Sequence, residues 1–197
     1  MQKKYDIGMR LWHWLNAVVM FGVIITVFLR DTFLNKHNVA DILTDKLQHF
    51  GITISPENAI LVAKAIREPM WQWHIYLGFG IFGLWIMRMF LFQTISGRIN
   101  YMNLAEETLH KKMVKLGYIG IYIATFLITI SGIAIYYHDA FGISKDFAHD
   151  IKELHEALFY GLLAFIPLHI IGVTIAENQD EKGIVSDMIN GGELLDA

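Results

Sequence analysis

The chain has 197 residues, of which 54% are hydrophobic and 18% charged, and its formal net charge at pH 7 is −3. That apolar share exceeds the usual value for a soluble domain, and the lack of a basic excess argues against nucleic acid as a partner. The sequence contains no cysteine, which excludes disulfides, thiolate zinc sites, iron–sulfur clusters and covalently attached c-type haem. Composition therefore indicates an integral membrane protein in contact with lipid.

Four long segments carry few or no charged side chains, and each is long enough to cross a bilayer. They are predicted at residues 9–29, 70–92, 113–137 and 151–176. Basic residues before the first segment resemble a signal peptide, but the segment is too long for one and lacks a small-residue cleavage site. We therefore predict an all-α membrane protein, a bundle of four transmembrane helices that forms a single domain over residues 1–197.

The longest connection between spans, residues 30–69, carries apolar residues at helical spacing. Ser55 and Pro56 form a helix start, with serine as the N-cap and proline at the first helical position. One or two short amphipathic helices, lying on the membrane or against a partner, are predicted here. A solvated loop is the alternative for the first half of the connection.

An even number of spans places both termini on one side of the membrane. Basic residues lie close to span ends on that side, Arg10 and Lys115 among them. The positive-inside rule then favours the cytoplasm for both termini. The polar, acidic tail after Glu177 is predicted to lie at the surface.

Histidines occur within three of the spans at matching depths. His13 lies near the start of the first span, and His74 lies near the start of the second, which runs in the opposite direction. His155 and His169 in the fourth span project from one helix face, about 21 Å apart along the axis. Alternating helix directions pair His13 with His169 at one level and His74 with His155 at the other. Such pairs predict two non-covalent b haems, and filling both axial positions favours electron transfer over binding at the metal.

Other interpretations of these histidines remain open. His138 ends the third span near the depth of His155 and is the alternative ligand there. A histidine inside a membrane can also have a purely structural role, as a hydrogen-bond partner of a neighbouring helix. A transporter for a divalent metal is disfavoured, because histidines about 21 Å apart cannot share an ion. The histidines in polar connections are predicted to be solvated: His37, His49, His110 and His149.

Arg88 is a charge inside the second span, at the depth of the His13/His169 pair, where a charge is costly and generally functional. It can pair with a haem propionate or extend to the membrane interface, and Arg10, three residues before His13, has the same two interpretations. Glycines in the spans leave room either for a porphyrin or for close helix packing. They are Gly22, Gly78, Gly132, Gly161 and Gly172.

Short motifs surround these residues: Arg10-Leu-Trp-His13-Trp-Leu-Asn16, His74 followed by Gly78 and Arg88, Ser131-Gly132, Leu154-His155 and Leu168-His169. Over nearly the whole chain, the combination resembles the four-helix, di-haem cytochromes of the bacterial b561 type. Within that group it is similar to the b subunits that anchor nickel–iron hydrogenases.

The resemblance implies that the four paired histidines bind two b haems in a bacterial inner membrane. It also implies that electrons pass between a periplasmic redox enzyme or cytochrome and quinone, which we expect near Arg10, Asn16 and Arg88. The alternative is a stand-alone enzyme that oxidises superoxide and reduces quinone. The connection over residues 30–69 is longer than in the compact b561 oxidases, which favours a docked partner. A homo-oligomer is also compatible with the sequence.

Overall fold

A computed structural model describes residues 5–94, 109–179 and 181–191, and within these ranges every regular element is a helix. The helices are α1 (Ile7–Asp31), α2 (Lys36–His49), α3 (Pro56–Thr94), α4 (Leu109–Tyr136), α5 (Lys145–Asn178) and α6 (Ile184–Asn190). Of these, α1, α3, α4 and α5 are long and apolar enough to cross a membrane. The predicted all-α membrane fold with four spanning segments is confirmed.

The helix starts follow the local sequence. Asn35 precedes α2, and its side chain accepts a hydrogen bond from the His37 backbone N–H at 3.0 Å. The third helix starts at Pro56, where the Ser55 hydroxyl oxygen accepts from the Asn58 N–H at 3.3 Å. The predicted N-cap and first-turn proline are confirmed, because each satisfies or removes a backbone donor that an α-helix leaves unpaired.

The connection between the first two spans differs from its predicted layout. Its first half forms α2, as one of the predicted short helices, but its second half continues without a break into α3 through Pro69. A proline removes one backbone hydrogen bond, and the turns on either side can still continue the helix. The 39 residues of α3 amount to about 58 Å, about twice the thickness of the hydrocarbon core, so part of this helix extends beyond the membrane.

The helices divide into two compact units, Met1–Asn16 with Ile81–Ala197, and Ala17–Gly80. We call them the terminal unit and the central unit. In the terminal unit α4 packs along α5, and α6 packs against α5. In the central unit, a small core of Ala40, Ala59 and Ala63 joins α2 to the first part of α3.

The spanning helices present apolar side chains outward. Leu11, Val18 and Phe21 on α1 are 67%, 68% and 64% exposed, whereas the buried side chains include Thr26 and Arg88. Exposed apolar patches of this kind are unfavourable in water and are covered by hydrocarbon in a membrane. The distribution agrees with a lipid-facing surface around a more polar interior.

Candidate functional site

The terminal unit brings two of the four predicted ligands together. His13 on α1 and His169 on α5 have ring centroids 6.3 Å apart, with their planes inclined by 45°. Two imidazoles on opposite sides of one metal ion, each nitrogen about 2 Å from it, have centroids about 6 Å apart. The observed separation is compatible with one iron between the rings.

The His13/His169 pair lies among aromatic rings. Trp14 meets the His13 ring edge-on at a centroid distance of 5.2 Å, and Phe165 stacks on His169 at 5.7 Å. Nδ1 of His13 is buried and has no hydrogen-bond partner among the described residues. An unpaired buried nitrogen costs free energy, and the described part of the chain supplies no group that offsets this cost at Nδ1 of His13.

In the central unit, a threonine orients His74. The hydroxyl oxygen of Thr26 lies 2.8 Å from Nδ1 of His74, and the same hydroxyl donates to the carbonyl oxygen of Val23 at 2.6 Å. Trp71 meets the His74 ring edge-on at 5.2 Å. The ring of His74 is therefore held by α1 on one side and by its own helix on another.

In the terminal unit, a serine and a glycine of α4 contact His155. The hydroxyl oxygen of Ser131 lies 3.0 Å from Nδ1 of His155 and 3.0 Å from the carbonyl oxygen of Ile128. A Cβ atom on Gly132 would come within 3.1 Å of Cε1 of the same ring. The Ser131-Gly132 motif thus lets α4 approach this imidazole closely and bond to it.

His138, the alternative to His155, has local partners for both ring nitrogens. Its Nδ1 lies 3.0 Å from the carbonyl oxygen of Ile135, and its Nε2 lies 3.4 Å from Oδ1 of Asp139. These contacts lie within about one turn of its own segment, whereas His155 bonds to a different helix. We keep His155 as the predicted ligand and His138 as the alternative.

The other histidines lie in or near the connections between spans, and His49 and His149 are within 3.8 Å of a carboxylate on their own helix. His37, His49 and His149 are exposed, and the side chain of His110 lies outside the described residues. No group of three or more His, Cys, Asp or Glu side chains that could hold a metal ion occurs in the described part of the chain. Only the span histidines therefore enter the candidate site.

Arg88 is almost fully buried, with 2% of its surface exposed. Its guanidinium carbon lies 5.4 Å from the centroid of the Trp12 ring and 5.6 Å from that of Tyr122, and its Nε donates to the Tyr122 hydroxyl at 3.0 Å. Such cation–π contacts stabilise a desolvated cation. The side chain does not take the extended, interface-reaching form, and it places a positive charge beside the residue that precedes His13.

Helix α6 packs on the start of α1, whereas the sequence predicts a surface tail. Arg10 Nη2 donates to the carbonyl oxygen of Ile189 at 2.7 Å, and Trp14 Nε1 donates to that of Met188 at 3.1 Å. These carbonyls belong to the last turn of α6, which has no intrahelical donors left for them and carries negative partial charge. Arg10 therefore caps α6.

Two carboxylates make further contacts at α6. Glu177 accepts hydrogen bonds from the backbone N–H groups of Gly183 and Val185, both at 2.9 Å, at the start of α6. Asp187 is 8% exposed and accepts from the Tyr5 backbone N–H at 3.1 Å. Burial raises the pKa of the Tyr5 phenol, which therefore stays neutral at physiological pH.

The glycines that flank α6 are the sequence signal for this helix. Gly183 and Gly191 have φ angles of 88° and 83°, in the left-handed region that glycine adopts without strain. A Cβ atom on Gly191 would lie 2.7 Å from Nη1 of Arg10. A Gly-x₇-Gly spacing around a short apolar segment therefore indicates a docked helix rather than a free tail.

We expect Gly191→Ala to loosen α6, because the change adds backbone strain and displaces Arg10. A cost of about 1–2 kcal/mol corresponds to about fivefold to thirtyfold faster limited proteolysis within residues 181–191. The control is Gly142→Ala, since Gly142 also has a positive φ of 67° but a Cβ there would meet no atom within 4 Å. Equal protease sensitivity in the wild type and Gly191→Ala would contradict the contact.

The span glycines differ in the space around them. A Cβ on Gly22 would lie 3.1 Å from Leu77 Cδ1, which indicates close helix packing. A Cβ on Gly78, Gly161 or Gly172 would meet no atom within 4 Å, so open space adjoins these residues. Gly161 lines an apolar groove of about 430 Å³ between α4 and α5 that also includes Phe165.

The sequence model of one protein family, described as prokaryotic cytochrome b561, matches residues 4–191. The matched range contains all the described helices and each of the four span histidines. No curated protein and no solved structure matches the chain.

Proposed function

Because the chain belongs to the prokaryotic cytochrome b561 family, we propose that it carries electrons across the bacterial inner membrane, between a periplasmic redox enzyme or cytochrome and the quinone pool. The family suggests transmembrane electron transfer as the class of function and implies b haem as the cofactor. We assign two haems, one to His13 and His169 and one to His74 and His155. We place both termini in the cytoplasm, as the basic residues near the span ends favour.

The separation of the His13 and His169 rings carries the proposal. The 6.3 Å between the ring centroids is close to the separation that two imidazoles bound to one metal ion from opposite sides would have. The pairing of His74 with His155 is drawn from their predicted depths. When bound, each haem supplies an iron that takes up and releases a single electron.

The side chains of the protein would bind the haems, exclude water from them and set the charge around them. Two histidines for each haem would leave the iron no open position for a gas or substrate, and the apolar helices exclude water. The guanidinium of Arg88 keeps a positive charge near the His13/His169 pair, in surroundings of low dielectric where charges act strongly. These features suit a carrier of electrons better than a binding site for small molecules.

We place quinone near Arg10, Asn16 and Arg88, on the side of the His13/His169 pair. Arg10 lies at the start of α1, where its Nη2 donates to Ile189 and its buried Nε has no partner among the described residues. Asn16 is a partly buried amide one turn after His13. The apolar groove that includes Phe165 offers a surface for an isoprenoid tail next to His169, on which Phe165 stacks.

We place the electron donor at the opposite side, where α2 and the first part of α3 lie outside the membrane. Phe33, Ile42 and Phe50 are 82%, 61% and 80% exposed in this region. Exposed apolar side chains of this kind commonly mark a surface for a protein partner. A partner that fails to co-purify in mild detergent, together with reduction of quinone by superoxide through the isolated chain, would favour the stand-alone enzyme instead.

The purified protein is expected to contain about two b haems per chain, both low-spin because each iron has two imidazole ligands. An absorption spectrum should show a Soret band and, on reduction, sharp α and β bands. Pyridine haemochrome absorbance against protein concentration gives the ratio. One haem per chain, or a high-spin spectrum, would contradict the assignment.

A further inference from the structure

Two hydroxyl side chains contact predicted haem ligands in the same manner. The Thr26 hydroxyl oxygen lies 2.8 Å from Nδ1 of His74 in the central unit, and the Ser131 hydroxyl oxygen lies 3.0 Å from Nδ1 of His155 in the terminal unit. In each case the hydroxyl and the imidazole belong to different helices. Neither contact follows from the helix pattern of the sequence.

A second contact of each hydroxyl decides where the protons lie. Thr26 Oγ1 is 2.6 Å from the carbonyl oxygen of Val23, and Ser131 Oγ is 3.0 Å from that of Ile128. A carbonyl oxygen can only accept, and a hydroxyl has a single hydrogen to donate. Each hydroxyl therefore donates to its carbonyl and accepts from the imidazole, so Nδ1 of the histidine carries the hydrogen.

This tautomer leaves Nε2 free to bind a metal. A neutral imidazole protonated on Nδ1 has its lone pair on Nε2, and a hydrogen bond donated by the other nitrogen fixes the ring and raises the basicity of the ligand. A more basic ligand stabilises ferric over ferrous iron, which lowers the reduction potential. The two hydroxyls thus act on any iron that His74 and His155 bind.

The His13 imidazole differs from these two. Its Nδ1 is buried without a hydrogen-bond partner in the described ranges, so it lacks the hydroxyl that His74 and His155 have. Its basicity is not raised in this way. The contacts around the ligands therefore distinguish His13 from His74 and His155.

We propose that Thr26 and Ser131 are positioning residues that hold His74 and His155 in the Nδ1–H tautomer and lower the reduction potential of the haem they ligate. The inference rests on the proposed function for the presence and pairing of the haems. The hydroxyl hydrogen bonds then leave the haem of His13 and His169 with the higher reduction potential. Electrons that enter on the periplasmic side consequently move downhill toward the quinone side.

Redox titration of the purified, haem-loaded protein, followed at the α band, tests the proposal. Thr26→Val and Ser131→Ala remove the accepting hydroxyl with little change in size. Each should favour reduction of one haem by about tenfold, which is about 59 mV for a one-electron couple, and should leave the other haem unchanged. The double variant should shift the same haem further, and Thr26→Ser should restore the wild-type value.

Thr129→Val is the matched control. Thr129 lies on α4 at 9% exposure, and its hydroxyl oxygen lies 2.9 Å from two carbonyl oxygens of its own helix, those of Thr125 and Phe126, which share its one hydrogen. We expect unchanged potentials in this variant. A shift there as large as in Ser131→Ala would overturn the proposal, because loss of any buried hydroxyl would then have the same effect.

The outcomes separate this inference from the proposed function. Unchanged potentials in Thr26→Val and Ser131→Ala, with both haems retained, overturn the inference alone. If Thr26→Val and Ser131→Ala shift the potentials of different haems, His74 and His155 do not ligate the same haem, and their pairing is wrong. Wild-type protein that binds no haem refutes the proposed function itself. Where a variant binds haem only in part, the EPR g values of the ferric low-spin signal serve instead, and unmoved g values overturn the inference.

Discussion

Replacement of either His13 or His169 by alanine is expected to remove one of the two haems, so that the reduced α-band absorbance per chain falls by about half. With no cysteine in the chain, a haem would be held without thioether bonds, and in the proposed site an imidazole on each side would be its main anchor. The ring centroids lie 6.3 Å apart, so loss of either ring leaves a haem bound from one side. Pyridine haemochrome absorbance and the low-spin EPR signals measure the loss.

Variants of His74 and His155 test the second haem in the same way. His74→Ala and His155→Ala should each remove the second haem and retain the haem of His13 and His169. Redox titration followed at the α band identifies the retained haem by its reduction potential. His138→Ala is the control and should keep both haems, since the ring nitrogens of His138 already bond to Ile135 and Asp139. Loss of a haem in His138→Ala, with none lost in His155→Ala, would reverse the assignment of this ligand.

Arg88→Gln is expected to slow quinone reduction by about 100-fold, a loss typical of removing a preorganised charge from a water-excluded site. The guanidinium is 2% exposed and lies against the rings of Trp12 and Tyr122. Burying this cation is costly, and in the proposed quinone site its charge would stabilise negative charge that develops on the reduced quinone. Stopped-flow oxidation of the prereduced haems by a soluble quinone analogue measures the rate.

Two variants show whether the charge or the hydrogen bond matters. Tyr122→Phe removes the 3.0 Å hydrogen bond to Nε but keeps the cation and its aromatic contact, and we expect a rate near that of the wild type. Arg88→Lys keeps the charge but loses the planar stacking, so its rate should be intermediate. Wild-type quinone reduction in Arg88→Gln, at full haem content, would exclude Arg88 from the site.

The sequence alone determined the membrane-spanning helices and the depths of the histidines. Both are linear properties, since the length of an apolar run sets the span and the rise of about 1.5 Å per residue sets the depth of His155 relative to His169. The cap at Ser55 was predictable for the same reason, because its partner Asn58 lies within one turn. Pro69 was misleading as a boundary, since one lost hydrogen bond does not end a helix whose neighbouring turns continue.

Only the tertiary structure decided what each predicted residue contacts. Ser131 meets His155, Tyr122 meets Arg88, and Arg10 meets the last turn of α6 across most of the chain. These contacts depend on how helices rotate and pack, and an apolar helix facing lipid shows almost no periodicity that would reveal its inward face. The number of spans and the candidate ligands were thus readable from the sequence, whereas the tautomers, the buried cation and the docked tail required the fold.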